Sequence, residues 1–267
     1  MANALVTGLL TAGVPASCLR VSSPSGGGAS RLSPLGISCS SRNEAAARGA
    51  HILVLAVKPW MIAPALASLL GEGAVGSDTL VVSIASGISV AQIESGLRPC
   101  VGGGGYTGPL RIARVMPNTP STIGVGAAGM FMGRGTLPED AERVRAMFGA
   151  LGTVETVTEL QLDAVTGLSG SGPAFVFMFI EALADGAVAA GLPRPIAMRL
   201  AAQLVKGSAT LVQQSGSHPG ALKDAVASPA GTTIAGILAL ETGGMRGAVM
   251  SAVIAASKRC EELRRDG

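Results

Sequence analysis

The sequence predicts two folds in succession, a doubly wound parallel α/β sheet and then an all-helical domain. Two observations carry this. From Leu19 to about Val157, short β-branched runs alternate with helical stretches, the pattern of a parallel sheet with helices on both faces. After Asp163 the strands cease, and Ala, Gly, Leu and Met recur at helical spacing. The expected division is an α/β domain over 1–157 and a helical domain over 158–267.

The elements follow in order. The opening MANALVTGLLTAGV sets Leu5, Val6, Leu9 and Leu10 along one face of a helix that Gly13 should stop in a left-handed cap. It lacks the basic leader and long apolar core of a signal peptide. The strand-like CLRVSS (18–23) comes next, so this helix looks like the second element of a βαβ unit whose first strand is absent. GISCSS, HILVLAV (51–57), TLVVSIASG (79–87), RIARVMPN (111–118), AAGMFMG and TVETVTE are the further strand candidates. ILVLAV and LVVSIA are almost continuously apolar, as strands covered on both faces are. In the helical half, GLPRP (191–195), QQSGSHPG (213–220), SPAGTT (228–233) and TGGMRG (242–247) cut helices of ordinary length. TGLSGSGPAFVF (166–177) is expected as a Ser/Gly loop feeding a helix with Pro173 near its first turn, and CVGGGGYTG (100–108) as a flexible surface loop.

Composition narrows the function. A charge of +3, from 20 basic and 17 acidic residues spread along the chain, leaves no footprint for nucleic acid, so small-molecule chemistry is expected. Cys18, Cys39, Cys100 and Cys260 stand far apart without a CxxC pair. With only His51 and His218 to help, no metal site is expected. The cysteines fit reduced thiols of a cytoplasmic protein. The run PAFVFMFIEALADGAVAAG (173–191) meets Glu181 and Asp185 before it reaches the roughly 20 residues of a membrane span. It is expected as a buried helix of a soluble protein, with no membrane partner.

Two stretches bear on chemistry. In a doubly wound sheet of order 3-2-1-4-5-6, the central first strand runs through a G-x-G-x-x-G turn into a helix whose amino end receives a dinucleotide's pyrophosphate. No such turn follows any strand here, and SGGGAS (25–30) is expected to be a loop. At the end of CLRVSS stand Ser22, Ser23 and Pro24, with Arg20 and Arg31 nearby and no acid until Glu44. An NAD enzyme usually places an acid at that point for the ribose 2′-hydroxyl. Neutral donors and cations there favour a 2′-phosphate, hence NADPH; an ordinary Ser/Pro turn is the alternative. In SPAGTTIAGILALE (228–241) the N–H groups of Gly231, Thr232 and Thr233 stand at the positive end of a helix. A carboxylate could dock there, or the hydroxyls could simply cap the helix.

Taken together, AVKPW (56–60), RVMPNTPSTIGVGAAGM (114–130), VTGLSGSGPAFVFMFIEALADGAVAAGLPR (165–194) and HPGALKDAVASPAGTTIAGILALE (218–241) make the chain resemble the pyrroline-5-carboxylate reductases over nearly its whole length. The resemblance implies a Rossmann-like domain followed by a helical dimerisation domain, and a homodimer or higher homo-oligomer. It implies reduction of 1-pyrroline-5-carboxylate to L-proline with NADPH or NADH. It sets Ser22, Ser23 and Pro24 near the adenosine ribose phosphate, Asn43 on the nucleotide, Ala56, Val57, Lys58 and Pro59 along the cofactor, and Ala85 on the nicotinamide side. It sets Ser228, Gly231, Thr232 and Thr233 in the substrate loop, where the helix N-terminus holds the carboxylate and Thr233, the catalytic candidate, orients the ring nitrogen. Two positions depart from the pattern: Ala230 replaces a more usual Gly, and Ala225 stands where some relatives have Asn. Members begin with a short strand and a Gly-x-Gly-x-Met-Ala type turn, of which Met1-Ala2 looks like the tail. The expectation is therefore an N-terminally incomplete domain that folds poorly and binds NADPH poorly, truncated at an internal Met. The absent segment could also hide an organelle-targeting peptide. Two alternatives stay open: a non-catalytic relative that retains the helical dimer, and another imine or hydroxyacid dehydrogenase, against which the substrate loop argues.

Overall fold

A computed structural model of the chain describes residues 1–24, 26, 28–70, 74–102 and 107–266. The expected loop 100–108 falls largely on residues outside that set, and 25–30 partly so. Two compact units are present: Met1–Ser171 with Ile254–Gly267, and Gly172–Val253.

In the first unit α1 (Ala2–Thr11) buries Leu5, Val6 and Leu9, and the chain turns away at Gly13, whose φ of +91° needs glycine. There follow β1 (Arg20–Ser22), α2 (Ala29–Leu32), β2 (Ser38–Ser40), α3 (Asn43–Ala47), β3 (Ile52–Leu55), α4 (Ile62–Ala67), β4 (Leu80–Ser83), α5 (Val90–Leu97) and β5 (Ile112–Met116). The unit continues with β6 (Gly126–Met132), α6 (Pro138–Gly149), β7 (Gly152–Thr156) and α7 (Gln161–Val165). Strand alternation sorts the core onto two faces. Val81 and Ile112 pack with Ile62, Leu66, Ile93 and Leu97 on one side, and Leu80, Val82, Ala113 and Val115 pack with Leu5, Leu9, Val144 and Phe148 on the other.

The sheet is in two pieces. β1 pairs in parallel with β2, Val21 opposite Cys39, and the larger piece runs β3-β4-β5-β6-β7. α1 joins them: Leu5 and Leu9 lie on the larger piece, and Val6 packs with Leu32 and Ile37, against which Val21 and Cys39 of the smaller piece rest. Among the described residues no strand pairs with the outer edge of β3, and Ile52, Leu53 and Val54 are only half-buried. The full coverage expected of HILVLAV therefore holds for Leu55 alone, whereas β4 is buried throughout. The sheet is also not wholly parallel. β5 and β6 pair antiparallel, Val115 opposite Met130, because the link over 117–125 is too short for the dozen or more residues of a parallel crossover.

The expected Ser/Gly loop at 166–171 is helical instead. α7 runs into a π-helical turn over Thr166–Gly170, in which the Thr166 and Ser169 hydroxyls donate to the carbonyls of Leu162 and Val165. A Cβ on Gly170 would stand 2.6 Å from Met116 Cε, so glycine lets this turn pass close to the end of β5.

The second unit contains α8 (Gly172–Ala189), α9 (Arg194–Ser215), α10 (Pro219–Ala225), α11 (Thr232–Thr242) and the start of α12 (Met245–Asp266). The breaks fall where Gly191, Gly216 and Gly244 take positive φ and where the His218 ring accepts the Gly220 N–H at 3.0 Å. α8 and α9 close on Ala184, Ala197 and Ala201. The expectation of a buried α8 fails. Only Ala184 is fully buried, and Phe177 and Met178 are 62% and 69% exposed. An alanine seam covers one stripe of a helix that is apolar over most of its surface, and the rest of that surface stays open. By length and composition alone, the helical run Gln161–Ala189 could cross a membrane.

Candidate active site

The positions expected to hold the nucleotide all lie at or just beyond carboxyl ends of parallel strands. Ser22 closes β1, and its hydroxyl donates to Asn43 Oδ1 at 2.6 Å. Asn43 opens α3 after β2, and its Nδ2 donates to Ser68 Oγ at 2.8 Å, which fixes the amide between two hydroxyls. The Ser23 N–H donates to Ser40 O across the β1–β2 pair, its Oγ accepts the Gly28 N–H at 3.1 Å, and Pro24 turns the chain outward. Ala56, Val57, Lys58 and Pro59 leave β3, with Val57 and Lys58 exposed and the Lys58 carbonyl accepting the Met61 N–H at the entry to α4. Ala85 follows β4 and is buried, its N–H donating to Ser83 Oγ at 3.3 Å.

This edge suits the adenosine end of a dinucleotide with a 2′-phosphate. It carries hydroxyls and an amide, and Ser22, Ser23, Pro24 and Asn43 include no carboxylate to repel the phosphate. Arg20 and Arg31 are exposed. Sequence reasoning missed Arg42, an exposed guanidinium on the turn between β2 and Asn43 whose nearest acid, Glu44, is 3.8 Å away. The signal was its place in SSRN, directly after a strand. It also missed Trp60, 73% exposed beside Pro59. For the pyrophosphate, no G-x-G-x-x-G turn follows a strand among the described residues; the amino end of α1 has no side-chain cap and leaves backbone amides open to an anion.

In the second unit the loop 228–231 feeds α11. The Gly231 N–H donates to Ser228 O at 3.1 Å, and a Cβ on Gly231 would stand 2.3 Å from Ser228 Oγ, so a larger residue there would have to displace the Ser228 hydroxyl. Gly231 is the N-cap and offers no side-chain cap, and the first intrahelical bond runs from Ala235 N–H to Gly231 O. The amides of Thr232, Thr233 and Ile234 therefore point out of the positive end of an eleven-residue helix. Thr233 is half-buried, and Ala230 holds φ +55°, the left-handed conformation for which the more usual Gly would be suited.

A doubly wound sheet with hydroxyls at its strand ends, joined in one chain to a helical unit with an uncapped helix amino end, defines a dinucleotide-dependent oxidoreductase. Comparison with known proteins agrees: the profile described as NADP oxidoreductase coenzyme F420-dependent matches residues 1–87, and the one described as pyrroline-5-carboxylate reductase dimerisation matches 159–263. The chain is 40% identical to a pyrroline-5-carboxylate reductase of Pisum sativum, covering 98% of this chain and 92% of that one. It is 47% identical to one of Methanosarcina acetivorans, covering 86% and 81%. Its structure is similar to that of the Coxiella burnetii enzyme, with a TM-score of 0.86, 32% identity and 98% and 94% coverage. It is also similar to the Plasmodium falciparum enzyme with NADP bound, with a TM-score of 0.84, 30% identity and the same coverage. The chain belongs to the pyrroline-5-carboxylate reductase family.

Proposed function

We propose that the chain reduces the cyclic imine 1-pyrroline-5-carboxylate to L-proline, with NADPH as the preferred donor. The uncapped amino end of α11, with Gly231 held against Ser228, carries the substrate half of this reading; it offers backbone amides to a carboxylate and nothing that would repel one. Bound NADPH supplies the hydride for the C=N carbon. Within this chain, Ser22, Ser23 and Asn43 hold the adenosine end, and the 56–59 loop and Ala85 lie further along the cofactor. No His, Lys or carboxylate occurs in 228–233, and a Thr hydroxyl is far too weak an acid to protonate nitrogen. Thr233 therefore orients the imine, whose proton arrives on the substrate or from solvent.

A homodimer, or a higher homo-oligomer, belongs to the same proposal. A second copy covers the exposed apolar surface of α8, a reading supported by the dimerisation profile over 159–263 and favoured over lipid by Glu181 and Asp185 within the helix. A cytoplasmic location is proposed on the four unpaired thiols. Steady-state oxidation of NADPH and NADH in the presence of the imine tests the activity. We expect imine-dependent turnover, at least as efficient with NADPH as with NADH. Binding of neither cofactor and no turnover would favour the non-catalytic relative.

A further inference from the structure

The loop Ile84–Ser89 between β4 and α5 is held from two directions by carboxylates one turn apart, Glu159 and Asp163, at the head of α7. Glu159 Oε1 accepts the Val90 N–H at 2.7 Å and pairs with Arg114 Nη1 at 3.0 Å. Arg114 is only 3% exposed, and its Nε has no partner, so Glu159 is the counter-charge that holds it. Asp163 is buried and accepts from Arg264 Nε at 3.1 Å and from the Cys260 thiol at 3.4 Å, both on α12. A thiol has one proton. With the thiol hydrogen directed at Asp163, the contact of 3.4 Å between Cys260 Sγ and Ser86 Oγ is a bond donated by the serine. Next to Ser86, Gly87 has φ +71°, and a Cβ there would meet Leu263 Cβ at 3.4 Å, so α12 lies directly on the loop.

We propose that Glu159 and Asp163 are positioning residues that brace the Ile84–Ser89 loop, and through Ala85 the nicotinamide end of the cofactor site. The inference rests on the proposed placement of Ala85 beside the nicotinamide. One carboxylate grips the loop at its exit into α5, and the other grips it at Ser86 through Cys260. Ala85 lies between the end of β4 and the Ser86 grip, so its backbone has little room to shift. A hydride donor and acceptor react when held about 3–3.5 Å apart, and a misplacement of about 1 Å can cost about a hundredfold in rate, so a loose wall behind the ring costs rate.

The test is amide hydrogen exchange together with single-turnover NADPH oxidation by the imine, on the full chain and on Asp163→Asn and Glu159→Gln. Exchange at 86–90 should rise by about tenfold or more while the amides of β4 and β5 keep their parent rates, and hydride transfer should slow by about ten- to a hundredfold with KM for the imine within about twofold. Unchanged loop protection in both variants, or a loosened loop with unchanged hydride transfer, overturns the proposal. Exchange needs no turnover, so an inactive parent protein counts against the proposed function while the brace is still decided by exchange. Where either variant unfolds the unit, Cys260→Ala and Cys260→Ser replace it: faster loop exchange in the first, restored in the second, supports the brace, and equal exchange in both overturns it.

Discussion

At the scale of single residues, the proposed substrate loop 228–233 carries two predictions. Thr233→Ala should lower kcat by about ten- to a thousandfold, the range of one well-aimed hydrogen bond, and Thr233→Ser should cost less. Full activity in the alanine variant, by steady-state assay, would remove the orienting role. Ala230, at φ +55°, carries the strain of an L-residue in left-handed space. Ala230→Gly should raise stability to urea by about 1 kcal/mol despite the added freedom of the unfolded chain. At the other site, Ser22→Asp puts a carboxylate beside Asn43, where the proposed function has the 2′-phosphate. It should shift the NADPH to NADH ratio of kcat/KM toward NADH by roughly tenfold or more. The local setting of these positions was legible in the sequence because each is a short-range matter of strand end, turn or helix start. Arg42 is equally local, but it stands on the turn after β2, one strand further along the chain than Ser22, and only the β1–β2 pairing brings those strand ends side by side.

Among the elements, α6 shows how a buried charge shapes pH dependence. Asp140, fully buried, binds the Arg111 guanidinium through two oxygens, with Nε to Oδ2 at 2.9 Å, and accepts the Leu137 N–H at 2.9 Å to close the first turn of α6. Burial by itself pushes this carboxyl up, but the hydrogen bonds from Arg111 and Leu137 and the charges of Arg111 and Arg143 outweigh it and hold it below its ordinary value. The stabilisation is thus fully present above the unfolded value near 4 and lost as the pH falls through the lower folded value. Asp140→Asn should destabilise the first unit by about 3 kcal/mol at pH 7 and flatten the acid limb of its pH-stability curve, measured by urea unfolding from pH 7 down to 3. An acid limb identical to the parent would show that the pair contributes nothing. The neighbouring β6 and α7 were read less well. Their runs of Ala, Gly and Ser carry little period, so strand direction and the π turn were left to the short 117–125 link and to the close pass of Gly170 over Met116.

For the whole molecule, the proposed assembly rests on the exposed apolar face of α8. The full chain should sediment as a dimer or larger at micromolar concentration, and Phe177→Asp, on a side chain 62% exposed in one copy, should shift it toward monomer with little change in the melting of the first unit. A full chain that stays monomeric at all concentrations would defeat the dimer proposal. The divided sheet is the other feature at this scale. β1 and β3 each keep an edge unpaired among the described residues, with α1 packed across both pieces. Edges of this kind invite pairing with other chains, and turbidity on heating should follow unfolding of the first unit.

What the sequence by itself determined was the periodic content: strand runs that end at Ser22 or shortly before Asn43, Ala56–Pro59 and Ala85, helices broken at glycine and proline, and a glycine-threonine helix start at 231–233. Each depends on residues a few positions apart, where sterics and backbone hydrogen bonds act directly. Only the tertiary structure decided the antiparallel turn of β6, the half-cover of β3, the bare face of α8, and the bonds that tie Glu159 to Val90 and Asp163 to Arg264 across 69 and 101 residues. Those features arise from which surfaces meet once the chain has closed on itself, and a local pattern of hydrophobicity and charge holds no record of a partner so distant in the chain.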